Sequence, residues 1–238
     1  MRTDIMQYYR KSKTLVNDTR REPTKSGVIG LLASAQGRSR EDEIEDLVEL
    51  EFGVRVEQRG RIIRDFQTEK TEKGKSMPLT NRYYLADAAF LVALSGNDEL
   101  LISLDSALRS PKWPLFLGRR SCPATLPITL GIHDEYEDVR DALCRESWHA
   151  ASWYKRRYHL PDLDVACDAH EGEISQNQAD TPLSFSMKQR RYANRAVHHF
   201  RVPNPDSVHS EEVKSSDSMG FPDVTEESSV DFMFFEEM

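Results

Sequence analysis

The spacing of apolar residues predicts alternating helices and strands over the first half of the chain. Apolar and small side chains run from 28 to 35, after a proline-containing segment at 23–27 and before Gly37, which predicts a helix that ends at the glycine. Leucines recur at helical spacing over 97–110, and Asn97 is suited to cap that helix. A further, acidic helix is predicted over 40–50.

Strand patterns separate these helices. Apolar and polar residues alternate over 52–57, and the chain then has a turn signal at 58–60 and returns through apolar positions at 62–66, which predicts a hairpin. Strands are also predicted over 83–94 and 113–117. Between two of these strands the polar segment 68–81 is expected to project from the core as a finger.

The order helix, strand, strand, helix, strand predicts an α+β protein with a ferredoxin-like (RRM-like) core that lacks its opening strand. We expect this core, with the finger at 68–81, to occupy residues 1–131. A smaller C-terminal subdomain is expected over 132–203, with a helix within 134–150 and an aromatic and basic segment at 153–159. The remaining residues, 204–238, form an acidic tail.

The strongest chemical signal follows the strand predicted over 113–117. Gly118 permits a close approach of a ligand to the main chain, Arg119 and Arg120 offer paired donors to phosphate oxygens, and Ser121 adds a hydroxyl. Residues 107–127 contain four basic side chains and no Asp or Glu. Two interpretations remain open, a phosphate site and a solvated rim at the end of a strand.

Two other segments carry features that suit a polyanion. Lys25 and Ser26 stand at the start of the first helix, where free amides bind anions, although the glycine pattern of a Walker loop is missing. Arg190 and Arg191 lie in a stretch, 187–201, that has no acidic residue and also contains Tyr192. Such interleaving of basic and aromatic residues suits stacking on RNA bases, and ordinary packing of the tyrosines is the alternative.

Composition limits the other possibilities. The formal net charge is −8, but residues 204–238 hold ten acidic residues and one basic residue, so the first 203 residues carry 31 basic and 30 acidic side chains. We expect this tail to be disordered, as a solvating segment or a regulatory acidic arm. Three widely spaced cysteines predict neither a zinc site nor a disulfide framework, and no apolar run suits a membrane span or secretory signal. A cytoplasmic protein without a cofactor is expected.

Six blocks of sequence resemble the Cas-five family of the RAMP superfamily, in particular its branch in the type I-E CRISPR surveillance complex, Cascade. The blocks, in order over 18–202, are Pro-Thr-Lys-Ser-Gly-Val-Ile-Gly-Leu-Leu from Pro23, Phe-Gly-Val-Arg-Val from Phe52, Arg-Asp-Phe-Gln-Thr from Arg64, Asn-Arg-Tyr-Tyr-Leu-Ala-Asp-Ala from Asn81, Phe-Leu-Gly-Arg-Arg-Ser-Cys-Pro from Phe116 and Arg-Arg-Tyr from Arg190. The block that begins at Phe116 is the most specific of them.

The resemblance implies a non-catalytic RNA-binding subunit that grips the 5′ handle of the CRISPR RNA (crRNA) and contributes to antiviral defence. It also implies a RAMP fold with a thumb at 68–81, in which Lys70, Lys73, Lys75 and Met77 lie. The expected partners are the CasC backbone subunit and the large CasA subunit of Cascade, with no membrane association.

Two points qualify this resemblance. Residues 1–13 do not read as the apolar opening strand of the family, so we expect a truncated or degenerate start. A sister branch of the family, in type I-C systems, consists of endoribonucleases that cleave repeat RNA without a metal ion, and this activity is the rival interpretation. It requires a general acid or base near a 2′-hydroxyl, and none of the histidines over 133–199 stands in a motif.

Overall fold

The computed structural model describes residues 5–6, 16–17, 21–68, 70–76, 80–118, 120–124 and 128–207. The strands within them are β1 (Ile5–Met6), β2 (Val16–Asn17), β3 (Glu51–Gln67), β4 (Thr80–Ser95), β5 (Asp162–Asp168), β6 (Gln176–Ser184) and β7 (Arg191–Pro203). They form one sheet in the order β1-β4-β3-β5-β7-β6, with β2 also paired to β4, and helices pack on both of its faces. The fold is therefore α+β, of the RAMP type that the sequence resemblance implies.

Local capping signals define the two longest helices. Helix α1 (Lys25–Gln36) begins at Thr24, whose side-chain oxygen accepts a hydrogen bond from the amide of Gly27, and ends at Gly37 with φ of 77°. The next helix, α2 (Glu45–Val48), is much shorter than the helix predicted over 40–50. Helix α3 (Asp98–Arg109) has the predicted N-cap, because Asn97 accepts a hydrogen bond from the amide of Leu100. The predictions for α1 and α3 are thus confirmed.

The longest element is the antiparallel hairpin of β3 and β4. These strands pair from Glu51 opposite Ser95 to Gln67 opposite Thr80. The hairpin turn predicted at 58–60 is wrong, because the chain continues through Gly60 as one strand with a bulge between Val56 and Gln58. The strand predicted over 83–94 is confirmed as part of β4.

Two residues with positive φ lie at the same level of this hairpin, one on each strand. Gly60 (φ 66°) lies in β3 between the paired residues Arg59 and Arg61, and Asp87 (φ 57°) lies opposite it in β4. Both strands therefore enter the left-handed region of backbone conformation at this level. A Cβ atom on Gly60 would lie 2.5 Å from the carbonyl oxygen of Ala86, so glycine is required there.

The C-terminal strands extend the same sheet. Strand β5 pairs with β3 through Gly53 to Arg55, β7 pairs with β5, and β6 forms an edge. The sequence pattern did not predict these strands. The helix expected within 134–150 is limited to α4 (Val139–Arg145), and the basic, aromatic segment begins as α5 (Ser152–Arg157). The boundary predicted at residue 131 falls between α3 and α4, and the division into two domains stays a prediction.

Two apolar clusters lie on opposite faces of the sheet. Helix α1 and the leucines of α3 pack with Phe52 and Val54 of β3, whereas α4 and α5 pack with Leu163 and Val165 of β5. Gly53 lets α4 approach the sheet closely, since a Cβ there would lie 2.6 Å from side-chain atoms of Val139 and Leu143. None of the helices in the described parts of the chain is both long and apolar enough to cross a bilayer.

A buried ion pair in β3 joins the sheet to α4 and to the residues that follow it. Arg55 and Glu57 of β3 are both fully buried, and the Nε of Arg55 donates to Glu57 at 2.5 Å. The guanidinium also donates to the carbonyl oxygens of Leu143, Glu146 and Ser147, each at 2.7 Å. Arg55 therefore donates to carbonyl groups at and just after the C-terminal end of α4, where no amide of the helix can serve as their donor.

Two short strands are described at the start of the chain, and the expected truncated or degenerate start stays a prediction. Strand β1 consists of two residues that pair antiparallel with Leu85 and Ala86 of β4, and β2 pairs parallel with Asn81 and Arg82. The strand predicted over 113–117 is wrong, because this segment forms only an isolated bridge between Phe116 and Pro123. The disordered tail predicted over 204–238 begins too early, because Asn204 is buried and its amide donates to the carbonyl oxygen of Pro161 at 2.7 Å. Residues 208–238 lie outside the described residues.

Candidate nucleic-acid interface

Residues on either side of Arg119 form a short loop that closes on itself. The amide of Leu117 donates to the carbonyl oxygen of Cys122 at 3.0 Å, and the amide of Ala124 donates to that of Leu115 at 3.4 Å. Gly118 has φ of 79°, which favours glycine at this turn. We call residues 115–124 the arginine loop.

The described polar side chains of the arginine loop are exposed. Leu117 and Cys122 are buried at its base, whereas Gly118, Arg120 and Ser121 are exposed. Arg119 lies outside the described residues. Within the described part of the chain Arg120 forms no ion pair, so its guanidinium is available to a ligand. The nearby Arg109 is paired with Asp105 at 2.8 Å and contributes less to the local charge.

The arginine loop rests against the start of α1. A Cβ atom on Gly27 would lie 3.5 Å from the Leu117 side chain, so the glycine lets the two segments approach. Ser26 follows the N-cap, and its hydroxyl lies 3.2 Å from that of Thr24. The structure therefore brings together two segments that the sequence analysis had selected separately.

Lys25 is engaged inside the protein. Its side chain is buried, its Nζ lies 3.4 Å from Asp168, and its amide donates to Asp180 at 3.1 Å. Arg195 completes the cluster with contacts of 2.8 Å to Asp168 and 2.9 Å to Asp180. Burial lowers the pKa of Arg195, but the hydrogen bonds and charges of the two aspartates outweigh it and raise the pKa overall.

This four-residue cluster neutralises the anion-binding potential of the helix start. The carboxylate of Asp180, which is fully buried, takes the place that a phosphate would occupy at the first amide of α1. The role of Lys25 in RNA binding therefore stays a prediction that the geometry does not favour. The sequence pattern gives no sign of this role for Asp168, Asp180 and Arg195, because it depends on contacts with Lys25, which lies 143 residues before Asp168 and 155 before Asp180.

Arg190 and Arg191 lie at the β6–β7 hairpin, on another side of α1. Both are exposed, and the Nε of Arg190 donates to the hydroxyl of Tyr192 at 2.6 Å. Phe185 of the same hairpin packs on the bare surface of Gly30, where a Cβ would lie 3.6 Å from the ring. Helix α1 thus carries the arginine loop at its start and this second basic segment further along.

The predicted thumb is the tip of the β3–β4 hairpin. Lys70 pairs with Ser76, and the amide of Gly74 (φ 75°) donates to the carbonyl oxygen of Thr71 at 2.8 Å. Lys70, Lys73 and Lys75 are all exposed there, and Met77 lies outside the described residues.

The histidine surroundings bear on the rival nuclease interpretation. The Nε2 of His149 lies 3.0 Å from Glu146 and 3.5 Å from the Ser147 hydroxyl, so one ring nitrogen faces both groups and no catalytic triad forms. Burial would raise the pKa of Glu146, but hydrogen bonds from Tyr136, His149 and Ser147 outweigh it and lower the pKa to about 2. The described residues contain no group of His, Cys, Asp and Glu side chains placed to hold a metal ion.

Comparison with known proteins places this chain among CRISPR-associated proteins. The family model described as "CRISPR-associated protein (Cas_Cas5)" matches residues 2–198. The chain therefore belongs to the Cas_Cas5 family of CRISPR-associated proteins.

One curated relative gives a more specific likeness. The chain is 36% identical over 134 residues to "CRISPR system Cascade subunit CasD" of Escherichia coli (strain K12), a match that covers 48% of this chain and 60% of the relative. The match thus spans less than two thirds of CasD.

Two solved structures are similar over most of the chain. One, titled "CRISPR RNA-guided surveillance complex", has a TM-score of 0.66 and 28% identity and covers 85% of this chain and 88% of the other. The second, titled "Crystal structure of Cas protein", has a TM-score of 0.62 and 33% identity and covers 85% of this chain and 92% of the other.

Proposed function

We propose that this protein is a non-catalytic, RNA-binding subunit of a CRISPR Cascade surveillance complex. In this role it binds the 5′ handle of the crRNA in the cytoplasm and contributes to antiviral defence. The family membership, the likeness to CasD and the similarity to a surveillance-complex structure support the assignment to Cascade.

The arginine loop is the observation that carries the RNA-binding proposal. A closed turn with a buried base holds exposed Arg120 and Ser121 beside a glycine, and no acidic residue occurs from 107 to 127. Within the described residues the Arg120 guanidinium forms no ion pair, and such a group can bind phosphate through two parallel hydrogen bonds, while the fixed turn lowers the entropy lost on binding. Arg119, Arg190 and Arg191 supply further contacts to the RNA backbone in this proposal.

The projecting hairpin tip supplies the second part of the proposal. Lys70, Lys73 and Lys75 surround an exposed tip that has little apolar surface of its own. This tip acts as the thumb and orders fully on contact with RNA and the neighbouring CasC subunit. CasA is the other protein partner that we propose.

Replacing Arg119 and Arg120 with alanine tests the handle assignment. We expect weaker binding of handle RNA and a log-log salt dependence that is flatter by about 1.4 to 1.8, because two phosphate contacts are lost. The matched control is Arg145→Ala, which removes an exposed arginine of α4 on the opposite face of the sheet. If affinity and salt slope stay at the native values in the double variant, the arginine loop is only a solvated rim.

A cleavage assay separates this proposal from the nuclease alternative. Labelled repeat RNA is incubated with the purified chain, alone and with the other Cascade subunits, in the presence of EDTA. We expect the RNA to remain intact with the chain alone. Cleavage that depends on this protein would overturn the non-catalytic assignment while leaving the RNA-binding test unaffected.

A further inference from the structure

Helix α5 carries a surface that the fold does not explain. Its inner side belongs to the apolar cluster with α4, because Tyr154 is buried there and its hydroxyl lies 3.5 Å from the amide of Arg59. Lys155 is also engaged, since its Nζ lies 2.7 Å from Asp206 and 5.3 Å from the Trp148 ring. The fold therefore accounts for Tyr154 and Lys155 but not for their neighbours.

Helix α5 and its C-cap residue Tyr158 expose two aromatic rings and two arginines. Trp153 is 48% exposed and Tyr158 is 40% exposed, and Arg156 and Arg157, which lie between them in the sequence, are also exposed. Within the described residues neither arginine forms an ion pair, although Arg157 lies 5.7 Å from the Tyr158 ring. We call these four residues the α5 surface.

A buried ring fixes the two exposed aromatic residues. Trp153 meets Tyr154 edge to face with 5.6 Å between ring centroids, and Tyr158 lies 4.5 Å from the same ring. Because Tyr154 is held in the core, it gives both exposed rings a packing partner within the protein. Preorganised rings lose little conformational entropy on binding, and this favours their use as contacts.

The sequence around α5 is basic, and because Lys155 is paired with Asp206 its unpaired positive charge comes from Arg156 and Arg157. Residues 147–161 contain Lys155, Arg156 and Arg157 but no Asp or Glu. An exposed aromatic ring next to unpaired arginines matches the chemistry of a single-stranded nucleic acid, in which bases stack on rings while guanidinium groups contact phosphates. An acid-free stretch of this length complements a polyanion.

We propose that the α5 surface is a second binding site for single-stranded RNA, on the face of the sheet opposite the arginine loop. Bases stack on Trp153 and Tyr158, and Arg156 and Arg157 contact the backbone phosphates. The site reads no particular sequence, because stacking and phosphate contacts are available to every nucleotide. This proposal goes beyond the handle assignment and does not depend on it.

The test uses the full chain with Arg119→Ala and Arg120→Ala, so that the arginine loop does not dominate binding. Trp113→Phe is added, because Trp113 is 41% exposed whereas Trp148 is buried, and this leaves Trp153 as the accessible tryptophan. The probe is a single-stranded uridine RNA of about 12 nucleotides, which contains no repeat sequence. We expect the RNA to protect Trp153 from acrylamide quenching.

Two variants then divide the site into stacking and charge. Trp153→Ala is expected to weaken binding by roughly five- to 150-fold, the range for loss of one stacked base. Arg156→Gln with Arg157→Gln is expected to flatten the salt dependence by about 1.4 in log-log slope. Arg145→Ala, an exposed arginine outside the α5 surface, should change neither quantity. Circular dichroism melts of each variant verify that the chain is folded.

The outcomes are distinct. Absence of quenching protection, or native affinity and slope in both α5 variants, overturns the proposal. If these variants bind RNA normally but no longer join the other Cascade subunits, the α5 surface is a protein interface and the RNA proposal is wrong. Failure of handle binding in the arginine-loop experiment affects only the earlier proposal, because this titration already lacks both loop arginines.

Discussion

Replacing the buried Arg55 with methionine should destabilise the protein strongly. The guanidinium makes contacts to Glu57 and to three carbonyl oxygens, and both members of the ion pair are fully buried. Methionine fills a similar volume but donates no hydrogen bond. In the variant Glu57 keeps the amide of His149 as a donor, and its charge has lost the neighbouring cation.

The size of the loss follows from these contacts. Removing one partner of a buried ion pair costs about 3 to 5 kcal/mol, because the remaining charge is left uncompensated. The carbonyl oxygens of Leu143, Glu146 and Ser147 also lose their donor, at about 1 to 3 kcal/mol for each that stays buried and unsatisfied. Against a typical total stability of about 5 to 15 kcal/mol, we expect a loss of at least about 3 kcal/mol.

Urea denaturation measures this loss and the coupling between the two residues. It is applied to the native chain, Arg55→Met, Glu57→Met and the double variant. The double variant should recover only part of the stability, since the three carbonyl groups remain without a donor. Arg145→Ala is the control, because its exposed pair with Asp141 is worth less than about 1 kcal/mol. A loss below about 1 kcal/mol in Arg55→Met would refute the reasoning.

Two further predictions concern the pH dependence of stability and the hairpin tip. The pKa of Glu146 falls from 4.5 to about 2 in the folded chain, so its contribution, up to about 3 kcal/mol, is present above pH 5 and disappears as the pH falls towards 2. In Glu146→Gln the free energy of unfolding, measured by urea titrations, should therefore fall less steeply between about pH 5 and about pH 2 than in the native chain. An unchanged pH dependence would contradict the assignment. Deleting 70–77 should leave the melting of the core nearly unchanged but impair assembly with RNA and Cascade subunits, and a collapse of the core in a thermal melt would show that the tip is structural.

Local signals were sufficient for those elements that local contacts determine. Gly37 and Asn97 end and begin helices through hydrogen bonds within a few residues, so the sequence pattern predicts both positions. Gly60 misled the prediction, because a glycine with positive φ serves both a tight turn and, as here, a position within a long paired strand. Which of the two forms depends on whether the following residues pair with β4, and the spacing of residues does not reveal this.

The C-terminal strands and the buried charges could not be predicted from local sequence patterns, because they depend on contacts between distant parts of the chain. Asp180 and Arg195 read as surface residues, but each is neutralised by a partner from another strand and the pair lies beneath α1. Arg55 likewise occupied a position in a recognised sequence block without any sign of its contacts to α4. For the candidate site, the sequence found the arginine loop, whereas the proximity of that loop to Gly27 required the fold.

The four-charge cluster beneath α1 also affects when the protein can finish folding during its synthesis. The first amide of α1 finds its acceptor in Asp180, 155 residues downstream, and the amide of Phe52 finds its acceptor in Asp168, 116 residues downstream. At about 5 to 20 residues per second on the ribosome, α1 waits roughly 8 to 30 seconds for that acceptor. The platform beneath the arginine loop is therefore completed among the last parts of the molecule, after most of the sheet has left the ribosome.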